Sequence, residues 1–330
     1  MTRALSEQVV VVTGASSGIG RETALRLAAG GARVVVSARD AVALDLLTGE
    51  IRDAGGEALA VAADVTDDGA VAAVADAAVA AYGRIDTWVN NAGVSAYGTV
   101  EELSLDDMRR VIDVDLVGTM RGVKAALPRL RAAGGGTIIN VASGLGKRAV
   151  PLQAPYCAAK AGVVAFDESL RVELRRGHVP IAVVDVLPSS VDTPFFAHAR
   201  SRMRASPRPL PPTYSPVAVA EAIVAVATKP VRTVYVGSAA RLLDLVQRVS
   251  PALTDRLVAI PAMTGQRSSR SSPAGDNLDR PSTPRSTATG GWWSVGRSTY
   301  TNLVGTHPGR ARLLVGAAAL VTVRAVTRRR

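Results

Sequence analysis

The chain has 330 residues, 48% of them hydrophobic, with one cysteine and a net charge of +11 at pH 7. That length buries a large core, as one α/β domain with additions or as two domains, and a lone Cys157 excludes an internal disulfide framework and fits a reducing compartment. The charge first suggests nucleic acid or a membrane, but eleven Arg and two Asp fall from residue 264 onward (+9), against 28 basic and 26 acidic residues in the near-neutral body; with 4% aromatics and no nucleic-acid motif, a nucleic-acid partner is not expected.

Short β-branched runs at 9–12, 33–37, 59–62, 87–89, 137–141, 181–186 and 233–236 predict strands, most of them separated by ten or more residues of helical character. The alternation predicts βαβ units, hence a Rossmann-type doubly wound parallel sheet with helices on both faces. Runs such as "VVVV" and "IAVV" are continuously apolar, as parallel strands covered on both sides should be. The first run opens directly into a glycine loop, so no secretory leader is expected. Gly30 and Gly31 suit a helix end, Ser104 with Asp107 three positions on resembles a capped helix start, and Ser215–Pro216 suits a first helical turn.

The first strand runs into "TGASSGIG", residues 13–20, and then into a helix. Glycines 14, 18 and 20 let the backbone turn tightly and approach a pyrophosphate, while Ser16, Ser17 and Ile19 lie where the helix N-terminus offers free N–H groups and partial positive charge. The next strand ends "SARD". An acid at that point would hold the ribose hydroxyls of NAD; Ala38 followed by Arg39 favours a 2′-phosphate, and so NADP(H) over NAD(H).

Further on, "ADV" at 63–65, "NNAG" at 90–93, "INVAS" ending at Ser143 and "YCAAK" at 156–160 follow in order. With the glycine loop, these motifs make the stretch from about 8 to 240 resemble the short-chain dehydrogenase/reductase family. The resemblance implies that Asp64 and Val65 contact the adenine and that Asn91, Ala92 and Gly93 lie beside the cofactor. It implies a catalytic set of Ser143, Tyr156 and Lys160. Tyr156 would pass a proton to or from the substrate oxygen, Ser143 would hydrogen-bond that oxygen, and Lys160 would hold the nicotinamide ribose. The four-residue spacing puts Tyr156 and Lys160 on one helix face, where the ammonium and the positive nicotinamide should together lower the phenol's pKa from its ordinary value of about 10. The small residues Ala158, Ala159, Ala161 and Gly162 would let that helix pack closely. In "LPSSVDTPF", Pro188 and Thr193 match the family's nicotinamide-side loop, but Ser189 replaces its usual glycine and puts the loop's geometry in question. The stretch 195–214 would be a variable lid. The implied reaction interconverts a small-molecule alcohol and a carbonyl compound, in a homodimer or tetramer.

One position departs from the pattern. Where the family has a fourth catalytic residue, an asparagine, "DVDLVG" carries Asp115 on an otherwise largely apolar stripe with Met108, Val111, Ile112 and Thr119. A carboxylate there needs a partner, and Lys160 is the natural one, directly or through water; its negative charge would also tend to raise the Tyr156 pKa, opposing the lysine. Two readings stay open: an active enzyme with a substituted proton relay, or a cofactor-binding relative with weak or no catalysis, acting as a sensor or scaffold. No metal site is expected, since His178, His198 and His307 are scattered.

The expected organisation is a catalytic domain over 1–262, a disordered Ser/Pro/Arg-rich linker over 263–300 and a basic, apolar tail over 301–330. Leu242, Leu245, Val246 and Val249 suggest an amphipathic helix that docks on the body or lines the substrate mouth. The apolar run 313–323 is about 16 Å long as a helix, against a bilayer core of about 30 Å. It is too short to span, which leaves a cytoplasmic protein or a peripheral membrane contact using Trp292, Trp293 and the terminal arginines.

Overall fold

The computed structural model describes residues 3–269, 275–281, 287–296, 300–301 and 306. All seven expected strands form: β1 (Val9–Thr13), β2 (Arg33–Ala38), β3 (Glu57–Ala62), β4 (Thr87–Asn90), β6 (Gly136–Val141), β7 (Ile181–Pro188) and β9 (Thr233–Val236). They make one parallel sheet in the order β3-β2-β1-β4-β6-β7-β9. Two short strands, β5 (Ala96–Tyr97) and β8 (Arg200–Ser201), pair separately above it.

Helices α1 (Gly18–Ala29), α2 (Ala41–Asp53) and α8 (Pro216–Thr228) cover one face. The other face carries α3 (Asp68–Tyr82), α5 (Gly118–Ala132) and α6 (Ala154–Arg176). Alternation along β1 divides the core: Val10 and Val12 pack on the first side and Val11 on the second, all fully buried. Each such valine stabilises the fold by roughly 1.5–3 kcal/mol, which explains a strand apolar at every position. Chain order reverses beside β1, whose neighbours are β2 and β4, so a crevice opens at the carboxyl ends of these strands.

The expected helix boundaries hold in detail. Gly30 ends α1 and Gly31 follows with φ +86°. Ser104 Oγ accepts the Asp107 amide at 3.1 Å and starts α4 (Leu105–Ile112), but the Asp107 carboxylate turns away to Arg200 and Arg202. Ser215 caps α8 through the Val217 amide. Between α4 and α5 the chain makes a π-helical turn, Asp113–Val117, which rotates Asp115 inward.

Two expectations about the C-terminal region are revised. The amphipathic stretch is two helices, α9 (Ser238–Val249) and α10 (Pro251–Gly265), which follow the four-residue α7 (Phe195–His198) in the lid. Leu242, Leu245 and Val249 point to solvent instead of docking, at 62%, 44% and 87% exposure. α9 docks through Ala240, packed with Ala142, Val163 and Leu187, and through the buried Asp244, which accepts from Tyr235 and pairs with Arg241 and Arg248. The stretch 263–300, expected to lack order, is held wherever it is described: Leu278 is fully buried against Val94, Val111 and Val114, and Asp276 and Asp279 pair with Arg200. Its composition cannot build a core of its own, but it docks on a core already made, Asp192 also accepting the amides of Gly290 and Trp292. The apolar run 313–323, His307 and the terminal arginines lie outside the described residues. Among the described residues no helix is long and apolar enough to cross a membrane.

Candidate active site

A cavity of about 670 Å³ follows the crevice from the glycine loop to α10. At one end Gly14 has φ +64°, and a Cβ there would lie 2.6 Å from Ala92 Cα. The loop and "NNAG" therefore touch backbone to backbone. Asn91 Nδ2 ties them by donating to the carbonyls of Thr13 and Gly14, both at 3.1 Å. Gly20 lies beneath the cavity, where a Cβ would meet Gly14 O at 2.3 Å. Ser16, Ser17, Gly18 and Ile19 line the wall, with Ala92 and Gly93 opposite. This cradle, with amides of the first turn of α1 beside it, suits a pyrophosphate.

Arg39, at the end of β2, lines the same cavity with Asp64 and Val65. Burial alone would raise the Asp64 pKa, but hydrogen bonds from Thr66 and Arg110 win and hold it below the usual carboxylate range. Arg110 Nη2 lies 2.9 Å from Asp64 Oδ2. The sequence reading missed Arg110, because it sits on α4, far along the chain, with no motif around it.

The reactive end is built by β6 and α6. Ser143 follows β6 and caps a short 3-10 turn, accepting the Leu145 amide at 3.1 Å. Tyr156 and Lys160 share one face of α6, with Lys160 Nζ 5.6 Å from the centre of the phenol ring. Ser143, Tyr156 and Lys160 all line the cavity, with Pro188 and Thr193 on the facing loop. Phe195 lies against the Tyr156 ring, centroids 5.6 Å apart. In the protein alone the Tyr156 pKa stands above its ordinary value. Burial and the nearby Asp115 push it up, outweighing the hydrogen bond with Ser143, so the phenol keeps its proton.

Asp115 is fully buried behind this set and does not line the cavity. Its Oδ1 accepts the Val94 amide at 2.8 Å, and its Oδ2 stands 3.5 Å from Lys160 Nζ, an ion pair rather than a well-formed hydrogen bond. Lys160 also donates to Val141 O at 3.1 Å. Burial raises the Asp115 pKa to about 6, against the opposing pull of Lys160. The sequence expectation of an Asp115–Lys160 pair is met.

Residues 8–204 match the short chain dehydrogenase family. The chain belongs to that family. It is 40% identical over 256 residues to an uncharacterized oxidoreductase, YxnA, of Bacillus subtilis, covering 77% of this chain and 72% of the relative. It is 40% identical to cis-4-hydroxycyclohexanecarboxylate dehydrogenase of Sinomonas cyclohexanicum, covering 69% of this chain and 92% of that one. A short-chain dehydrogenase/reductase from Burkholderia phymatum, solved in complex with NAD, superposes with a TM-score of 0.65 at 28% identity, covering 71% and 90% of the two chains. A metagenomic short-chain oxidoreductase solved with NADP gives 0.60 at 36% identity, covering 71% and 98%. The protein is thus an oxidoreductase of the short-chain type.

Among short-chain dehydrogenases this chain's Ser189 stood out as a replaced glycine. Only Leu152, His178 and Arg204 have positive φ among the described non-glycine residues, so the loop needs no glycine there. The Ser189 hydroxyl instead accepts the Ala240 amide at 3.0 Å and caps the start of α9. The helical stretch expected to dock or to line the substrate mouth does line it: Leu243 of α9 and Leu257, Val258, Pro261 and Ala262 of α10, with Phe195, Phe196 and Leu210, give that half of the cavity apolar walls.

Proposed function

We propose that the protein interconverts an alcohol and a carbonyl compound by hydride transfer with NADP(H) in preference to NAD(H), Tyr156 acting as general acid and base. The observation that carries this reading is the meeting of Ser143, Tyr156 and Lys160 on one wall of a cavity that continues into the glycine-loop cradle. Gly14, Ser17, Gly18, Ile19 and Asn91 would hold the dinucleotide's pyrophosphate half, and Thr193 and Lys160 its nicotinamide half. When bound, the cofactor supplies or takes the hydride. Tyr156, kept protonated by burial and by Asp115, donates its proton to the carbonyl oxygen as charge develops there. Ser143 steadies the same oxygen. Lys160, fixed by Val141 O and Asp115, keeps positive charge near the phenolate that results. In oxidation the same groups run in reverse.

Arg39, which follows Ala38 in place of an acid at the end of β2, supports the choice of NADP(H). The apolar walls, together with relatives named for hydroxycyclohexanecarboxylate and ketoacyl chemistry, support an oxygen carried on an apolar skeleton. Ala158 and Ala161, exposed on α6, leave a smooth helix face that suits a homodimer or tetramer. A cytoplasmic location fits the single buried Cys157, and the basic tail suits peripheral contact with anionic lipid.

The test is NADPH oxidation against a panel of apolar aldehydes and ketones, wild type beside Tyr156→Phe. Turnover should fall on the order of 10²–10⁴-fold in the variant, with NADPH binding retained. Equal turnover in both proteins would remove Tyr156 as the acid. NADPH bound but unreactive across the panel in wild type would favour the sensor or scaffold reading.

A further inference from the structure

Beyond the body, the chain returns across the cleft described above. Arg39 Nη2 donates to the carbonyl of Asn277 at 2.5 Å, and its Nη1 to that of Leu278 at 3.4 Å. Arg110 Nε donates to the same Leu278 carbonyl at 3.1 Å. The Gly18 amide, at the head of α1, donates to Thr287 O at 2.9 Å. Asn277 and Pro281 line the cavity itself. The strap is pinned from outside the cleft: Arg200 holds Asp276 at 2.9 Å and Asp279 at 2.7 Å, the Asn277 amide donates to His198 O, and Leu278 is fully buried.

The donors taken by the strap are the ones a phosphorylated dinucleotide needs. We propose that this C-terminal strap competes with the 2′-phosphate for Arg39, and so sets how strongly the site discriminates NADP(H) from NAD(H). The proposal rests on reading the cleft as a dinucleotide site. A neutral carbonyl and an anionic phosphate both accept from a guanidinium, but the charge-assisted pair is the stronger. NADP(H) therefore displaces the strap from Arg39, and its affinity is reduced by the contacts it breaks. A cofactor with a free 2′-hydroxyl has no claim on Arg39 and is penalised only where it meets the strap at Gly18. Loosening the strap should favour NADP(H) over NAD(H).

The experiment compares NADPH and NADH dissociation constants for the full-length wild type, for Asp276→Asn/Asp279→Asn and for Leu278→Ser. The last loosens the strap by an independent route. NADPH should bind about tenfold tighter to either variant, the size of one charge-assisted hydrogen bond, with NADH gaining less than about threefold on the same scale. In an Arg39→Ala background the change in discrimination should vanish. Equal gains for both cofactors, or none, would overturn the strap while leaving the dinucleotide reading intact. Failure of every form to bind either cofactor would overturn both. Hydrogen exchange over 276–281 in the wild type gives a second readout: NADPH should speed it, and slower exchange would mean that the strap closes on the cofactor instead of competing with it.

Discussion

Asp115 stands beside Lys160 and acts on the phenol of Tyr156. Above about pH 6 it is ionised, pairs with Lys160 and opposes formation of the Tyr156 phenolate. Asparagine at this position carries no charge, so the phenolate should form at lower pH. In Asp115→Asn the alkaline limb of kcat/KM for carbonyl reduction, where Tyr156 must keep its proton, should move down by about one unit. An unmoved limb would show that Asp115 does not act on the phenol. The wild-type profile should also bend near pH 6, and the variant's should not. The pair was legible from the spacing of the motifs, because Asp115 fell on an apolar stripe with one cation in reach. That Asp115 would pull the Tyr156 pKa up against the ammonium was legible too; that the upward pull wins was not, because burial adds to it and the extent of burial is not visible in sequence.

At the level of elements, a buried polar chain links strands to a helix. Trp88 donates to Asn90, Asn90 to Asn140 and Asn140 to Asp167, from β4 through β6 to α6. Asp167 then faces Asp185 of β7, which pairs with Arg171 at 2.9 Å. Burial first, and Asp185 second, push Asp167 up to about 9. At neutral pH it keeps its proton. A carboxyl that is protonated when folded and ionised when unfolded makes the folded state bind more protons between about pH 4 and 9, so stability falls as pH rises through that window. Asp167→Asn keeps a donor toward Asp185 without an ionisable proton. Its urea midpoint should therefore change less than the wild type's between pH 6 and 9; parallel curves would refute the assignment. Ser189→Ala should cost about 1 kcal/mol in the same assay by uncapping α9. "NNAG" announced Asn90, but nothing local announced Asp167 or Asp185, which meet only because β6 and β7 are neighbours under α6.

On the scale of the whole molecule, the outward face of α6 carries Ala158 and Ala161, with Val172 at 68% exposure. A helix face that smooth suits packing against a second copy. Sedimentation should find a dimer or tetramer, and Ala161→Arg should shift it toward monomer while the fold's circular dichroism is unchanged. A wild type sedimenting as a monomer would remove this proposal. α10 exposes Leu253, Leu257 and Ile260 on one side, while Leu257, Val258, Pro261 and Ala262 line the cavity and Ala262 packs with Val150 and Cys157.

The sequence by itself determined the seven parallel strands, the glycine loop and the order of the catalytic motifs. Each depends on local chemistry: β-branched runs, backbone freedom at glycine, and a helical repeat that brings residues four apart together. Tertiary structure alone decided the proton state of Tyr156 and Asp167, the use of Ser189 as a helix cap and the path of residues 275–281 across Arg39. These depend on burial and on partners far along the chain. A segment too polar to fold alone is ordered by a surface that its own composition cannot reveal.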